Sequence, residues 1–313
     1  MLYVSTRTHV ASYTAYRALH EDRAPDGGFF IPYRVPVFST TEITEMSKKT
    51  FGERIAHILN VFFPIALSGW DVDFAIGRHP YKLVTMNHRV YIAELWHNLQ
   101  TSFQYLEDSL YIKLCEDQNQ TAQPTTWAKI AIRISILFSL CCELRTNGIK
   151  TVDVAGVAGD YSFLIAMWYV AKMGMPMGKF ICTSDENGGA WEFFHNGEFH
   201  PNNKENKNGL LILEMLIYEL FGQDGMLSYI QTLEEGTTFA LNEEELLTLN
   251  SFVESVVVSR SRCKELIKSI YRTHNYTAEP YLAMAYAGLQ NYRSGSGESR
   301  TALMLSEFCP QSV

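Results

Sequence analysis

The chain is poor in the residues that covalent and metal scaffolds need. Its 313 residues include six cysteines and no C-x-x-C pair, which argues against a disulfide framework and against a Cys-rich zinc module. Charge is sparse, at 19% Asp, Glu, Lys and Arg, while apolar residues reach 47%. That balance excludes a disordered chain and supplies a sizeable core. There is no basic excess: 26 Lys and Arg face 34 Asp and Glu, for a net charge of −8. Nucleic acid and anionic membrane are therefore not expected as the main partners. Long apolar runs are missing too. The most apolar stretch, 130–144, contains Arg133 and Glu143 and is too short to span a bilayer. The opening MLYVSTRTHV has no charged leader followed by an apolar run, so no signal peptide is expected, and the reading is a soluble cytoplasmic protein. What is abundant is aromatic: 17 Tyr and 18 Phe.

The pattern along the chain is mixed. Residues 11–22 fit a short amphipathic helix, broken by Pro25-Asp26-Gly27-Gly28. Ser39-Thr40-Thr41-Glu42 has the form of a capping box. Helices are expected at 51–63, 70–77, 98–117 and 125–147, with short strands at 81–86 and 89–93. Residues 150–156 and 179–183 are expected as strands flanking a helix that ends near Met173-Gly174. That strand–helix–strand unit implies parallel pairing and an α/β sheet. Residues 184–209 look like loop, 209–274 like four helical stretches and 279–291 like a last helix. A Gly/Ser turn, SGSGES, then precedes a closing strand at 302–306.

Five pieces carry a more specific signal. They are Tyr3-Val4-Ser5-Thr6-Arg7 with Ala24-Pro25-Asp26-Gly27-Gly28-Phe29-Phe30-Ile31-Pro32; then Glu94-Leu95-Trp96-His97 through Phe103-Gln104; then Thr125-Thr126-Trp127-Ala128-Lys129-Ile130; then Val154 to Phe163; and last Thr277-Ala278-Glu279-Pro280-Tyr281, followed by 303–310. In this order they resemble threonine synthase, a member of the tryptophan-synthase-β-like, fold-type II pyridoxal-phosphate lyases. The resemblance implies a helix-rich N-terminal domain at 1–88. It also implies an α/β large domain at 89–313, with a mostly parallel sheet.

The same resemblance exposes departures. The family's Schiff-base lysine falls on Gln104, and an amide can form no imine and has no useful basicity. The family's phosphate loop, S-G-N-F-G-D, has become Ala158-Gly159-Asp160-Tyr161-Ser162-Phe163, with one glycine and a carboxylate where an anion should sit. The residue facing the cofactor's ring nitrogen aligns with Glu307, and the neighbouring family His with Cys309. Gln104 and Trp127 are 23 positions apart, against about 100 residues in the family. The mobile small domain is thus expected to be deleted between about 105 and 125.

His97, Gln104, Ala158, Gly159, Asp160, Tyr161, Ser162, Glu307 and Cys309 form the expected remnant of a ligand cleft, with no catalytic residue, no metal and no bound cofactor. Tyr161, Phe163, Phe103 and Tyr105 are large enough to plug it. Lys113 is either a relocated lysine or an ordinary helix lysine. Asp160 is either a helix cap or part of a surviving pocket. SGSGES is either a phosphate cradle or a turn. His88, His195 and His200 are expected as loose surface histidines, Cys141-Cys142 as buried thiols, and Glu21, Asp22 and Asp26 as a solvated face. The functional expectation is a noncatalytic binding, scaffold or regulatory protein, with a homodimer or protein partner on the face bared by the lost domain. The alternative is a rewired enzyme or small-molecule binder of the phosphohomoserine-lyase type.

Overall fold

A computed structural model describes residues 1–8, 11–96, 103–115, 123–185, 189–200 and 207–310. It divides into two compact units. The first comprises 1–80, 98–150 and 162–177, and the second 81–97, 151–161 and 178–313.

The first unit opens with three short antiparallel strands in the order β2-β1-β3: β1 (Leu2–Ser5), β2 (Tyr13–Thr14) and β3 (Phe30–Pro32). Seven helices follow: α1 (Ala15–His20), α2 (Thr40–Ser47), α3 (Phe51–Phe62), α4 (Gly69–Ile76), α5 (Phe103–Cys115), α6 (Thr126–Thr146) and α7 (Ser162–Lys172). The expected capping box at Ser39 and Glu42 is present, and Thr50/Glu53 and Ser68/Asp71 repeat the device on α3 and α4. Helix α6 is apolar on all sides and is buried along most of its length.

The first and third sequence pieces meet here, and the reason is architectural. Trp127 Nε1 donates to Tyr3 Oη at 3.0 Å, and the Tyr3 hydroxyl donates to the Phe62 carbonyl at 2.9 Å. Ser5 Oγ donates to Asp26 at 2.7 Å, and the Gly28 amide donates to the same carboxylate oxygen at 3.0 Å. A Cβ on Gly28 would stand 2.2 Å from Ser5 Oγ and 2.8 Å from Thr6 Oγ1. The D-G-G turn is thus bound to β1 through side chains that only a glycine lets approach.

The second unit is built on a six-stranded sheet in the order β10-β7-β6-β11-β5-β4. Its strands are β4 (Lys82–Asn87), β5 (Val90–Glu94), β6 (Val152–Val157), β7 (Met177–Ser184), β10 (Val253–Val257) and β11 (Ala302–Ser306). Only the β4–β5 pairing is antiparallel among those recorded. A two-stranded ribbon, β8 (Glu198–Phe199) with β9 (Phe239–Ala240), lies apart from it. The helices are α8 (Gly189–Asn196), α9 (Lys207–Glu235, broken at Gly222), α10 (Glu243–Phe252), α11 (Cys263–His274) and α12 (Pro280–Ser296).

Three expectations are corrected. The stretch 184–209 is not all loop: α8 forms there, with Phe193 and Phe194 buried. The stretch 209–274 is not all helix: β10 pairs in parallel with β7 from Val253↔Phe180 to Val257↔Ser184. The Ser294–Ser296 part of SGSGES completes the last turn of α12, which Gly297 ends at φ 71°.

Candidate functional site

In the second unit the chain passes from β6 to β7 on one side, while β11 flanks β6 on the other. Such a reversal of strand order marks where open α/β sheets place ligands, at the carboxyl ends of the strands. Ala158–Tyr161 follow β6, Glu307 and Cys309 follow β11, and Leu95 and Trp96 follow β5, so all three connections leave the sheet at this edge. Asp160 and Cys309 are exposed, Ala158, Gly159 and Glu307 half-buried. Tyr161 turns inward and packs on Phe194, with ring centroids 5.7 Å apart. His97 lies outside the described residues.

The same edge holds a polar group that the sequence reading missed. Glu94 ends β5 and Ser306 ends β11, directly paired in register and both buried. Trp96 Nε1 donates to Ser306 Oγ at 3.0 Å, and the Leu95 amide donates to the Ser306 carbonyl at 2.9 Å. Burial pushes the Tyr276 phenol up, reinforced by the adjoining Glu94 and Glu279 carboxylates. Glu279 caps α12 by accepting from the Tyr281 and Leu282 amides at 2.8 and 2.7 Å. Burial raises its pKa, and those two amides hold part of the rise back. Glu94, Ser306 and Glu279 come from motifs already singled out, and Tyr276 directly precedes one; 182 positions separate Glu94 from Tyr276, and the parallel β5–β11 pairing brings Glu94 beside Ser306.

In the first unit Gln104 sits near the start of α5 with its side chain exposed. Its neighbour Phe103 is buried and stacks on Phe163 of α7, with centroids 5.6 Å apart and planes 28° from parallel. The Arg133 guanidinium of α6 lies 5.2 Å from the Phe103 ring centroid and 4.6 Å from that of Phe163. Glu107, one turn along α5, accepts from Arg133 at 2.6 and 3.1 Å, and both side chains are buried. Phe103 and Phe163 therefore fill space within the first unit. Tyr105 does not: it is 53% exposed. Lys113 is committed elsewhere, its amine 2.8 Å from Asp71 of α4.

These residues do not fit a Schiff-base pyridoxal-phosphate cofactor. The lysine position holds an exposed amide, and Lys113 on the same helix is ion-paired. The β6–α7 loop presents the Asp160 carboxylate, and the Ala158 amide is already spent on the Thr183 carbonyl at 2.7 Å. Repulsion between carboxylate and phosphate, with one amide fewer, works against an anion there. No chemical step is derived through that group.

The other candidates resolve simply. His195 stacks on Trp191 at 4.5 Å, and His200 Nδ1 lies 2.8 Å from Thr238 Oγ1. Burial raises the Cys141 and Cys142 thiols, as it does Cys182, pushed up to about 12. The acidic cluster is not merely a solvated face. Asp22 accepts from the Thr126 amide and hydroxyl at 2.8 and 2.7 Å, Glu21 pairs with Arg17, and Asp26 holds the D-G-G turn. Among the described residues, no group of three or more His, Cys, Asp or Glu could hold a metal ion, and no helix is long and apolar enough to cross a membrane.

Comparison with known proteins agrees with the motif reading. Residues 2–74 match the family model described as "Threonine synthase N terminus". Curated relatives include "Threonine synthase-like 1" of Homo sapiens, 24% identical over 182 residues, covering 53% of this chain and 24% of that protein. The mouse protein of the same name matches at 24% over 180 residues, again 53% and 24%. The chain spans about a quarter of the length of these relatives. Among solved structures, PLP-bound threonine synthase from Brucella melitensis superposes with a TM-score of 0.81 at 17% identity, covering 99% of this chain and 89% of that one. Yeast threonine synthase gives 0.82 at 16% identity, covering 99% and 87%. Residues 2–74 are thus similar to the threonine synthase N terminus, and the chain has the threonine synthase fold.

Proposed function

We propose that this threonine synthase-like chain is noncatalytic, and that it serves as a binding or scaffold protein of the cytoplasm. One observation carries the reading: the residue at the family's lysine position, Gln104, is an exposed amide on α5. An amide can neither hold an aldehyde as an imine nor return a proton to substrate. The aromatic stack of Phe103 and Phe163 and the Asp160 carboxylate support it. The family's division into 1–88 and 89–313, with the small domain deleted between about 105 and 125, belongs to the same reading, as does a protein partner on the bared face.

The test is turnover. The purified chain, supplied with pyridoxal phosphate and O-phosphohomoserine, is expected to release no inorganic phosphate above a no-protein control. Enzyme-dependent, stoichiometrically coupled phosphate and threonine would refute the proposal.

A second reading draws on the buried Glu94 and Ser306 with the half-buried Tyr276 at the sheet edge. It makes the chain a small-molecule binder with a rewired site. A thermal shift with phospho-hydroxy amino acids, lost in Glu94→Gln, would favour it.

A further inference from the structure

Helix α11 and the 3-10 turn before it form a basic island in an acidic protein. Residues 260–274 hold five cations (Arg260, Arg262, Lys264, Lys268 and Arg272) against one carboxylate, Glu265, a net +4 in a chain of −8. All five are exposed. At about 100° per residue, Lys264, Lys268, Tyr271 and Arg272 fall within one arc of about 100°. Tyr271, at one edge of that arc, is 56% exposed. Among the described residues Lys264, Lys268 and Arg272 have no ion-pair partner, and Arg260 has only a distant one, Asp185 at 3.9 Å.

Local stability does not explain this charge. Arg272 lies in the last turn, where a cation favours the helix, but Arg260, Arg262 and Lys264 gather at the opposite end. There the helix dipole is positive, and cations oppose it. That end also lacks a side-chain cap: Arg262 stands at the N-cap with no such bond, as does Ser259 before the 3-10 turn. A terminus whose charge works against its own helix is serving something outside it.

The complement stands on α10. Glu243 and Glu244 are exposed, among the described residues neither is ion-paired, and Leu247 on the same face is 72% exposed. From 243 to 251 and from 264 to 272 the two faces have equal reach, about 12 Å. Each places one large apolar side chain beside charge of a single sign.

We propose that α11 docks the α10 face of a second copy of this chain, with the reverse contact made at the same time, so that a two-fold dimer closes on itself. Lys264 and Lys268 meet Glu243 and Glu244, and Tyr271 and Leu247 supply the apolar part of each contact. The proposal does not rest on the reading of the retired site.

Sedimentation equilibrium of the full chain tests it. A dimer is expected at about 0.05 M salt, weakening at least about tenfold by about 0.5 M. Lys264→Glu with Lys268→Glu should abolish it, as should Glu243→Lys with Glu244→Lys. Mixing the two variants restores both contacts in the heterodimer, one native and one with its charges exchanged, and the quadruple swap restores both in the homodimer. Far-UV circular dichroism verifies that each variant is folded. Monomer at every salt concentration overturns the proposal, and so does a dimer unaffected by either charge reversal. A monomer that binds phosphatidylserine vesicles or RNA through α11 overturns it too, and assigns the island to those ligands instead.

Discussion

Phe103 stacks on Phe163 with 5.6 Å between ring centroids, and the Arg133 guanidinium lies over both rings. The residue after Phe103 is Gln104, at the position where the resemblance expects the catalytic lysine. In this chain the start of α5 is thus a packing element. Its energetics depend on the buried Arg133–Glu107 pair.

Breaking that pair on one side should be costly. Arg133→Met leaves the Glu107 carboxylate buried without its partner, and is expected to lose about 3–5 kcal/mol of stability. Arg133→Met with Glu107→Leu should recover most of the loss, because an apolar pair of similar volume needs no desolvation of charge. Urea unfolding of the two single variants and the double variant measures this.

Gln104 itself should be dispensable for folding. It is exposed, so Gln104→Ala should change stability by less than about 0.5 kcal/mol. Gln104→Lys should not by itself create an aldimine, because Asp160 still occupies the phosphate loop. An absorbance band of bound pyridoxal phosphate in that variant would show the loop to be competent.

The D-G-G turn should be sensitive to both volume and acid. Gly28→Ala drives a Cβ into Ser5 and Thr6, and should cost about 1–3 kcal/mol. Burial pushes the Asp26 carboxyl up, but hydrogen bonds from Ser5, Gly28 and Thr8 outweigh it and hold the pKa below the usual carboxylate value. A depressed folded-state pKa means that the stabilisation is fully present above the ordinary carboxylate range. It is lost as pH falls through that range toward the folded value. Acid unfolding of Asp26→Asn should therefore be shallower than that of the parent below about pH 4.

Thiol chemistry should divide by burial. Cys309 is exposed, whereas Cys141, Cys142 and Cys182 are buried, with Cys182 pushed up to about 12. Brief iodoacetamide treatment at neutral pH should label Cys309 in the native chain, and the three buried thiols only after unfolding. Peptide mass spectrometry reads this directly.

Much of the fold was legible because it is written locally. The capping residues Ser39 and Glu42, the strand–helix–strand run through 150–184 and the Pro280 start of α12 are short-range signals. Strand β10 was hidden because a helical run feeds straight into it, and Val253–Val257 becomes a strand only through pairing with β7. Helix α8 was masked by glycine and asparagine on its flanks. For the site, Gln104 and Asp160 could be named from the sequence because each is a single departure from the motif that the chain resembles. The Arg133–Glu107 clamp and the Glu94–Tyr276–Ser306 group were not, since each depends on residues brought together across 26 or more positions by helix packing and strand register.

The most direct measurement is covalent capture. The chain is incubated with an equimolar amount of pyridoxal phosphate, reduced with borohydride, digested and mapped by mass spectrometry. The account predicts no stoichiometric pyridoxyl adduct at any one lysine, and no absorbance band surviving dialysis. A single lysine of this chain carrying the adduct at full occupancy, and left unlabelled when O-phosphohomoserine is added before the reduction, would contradict it.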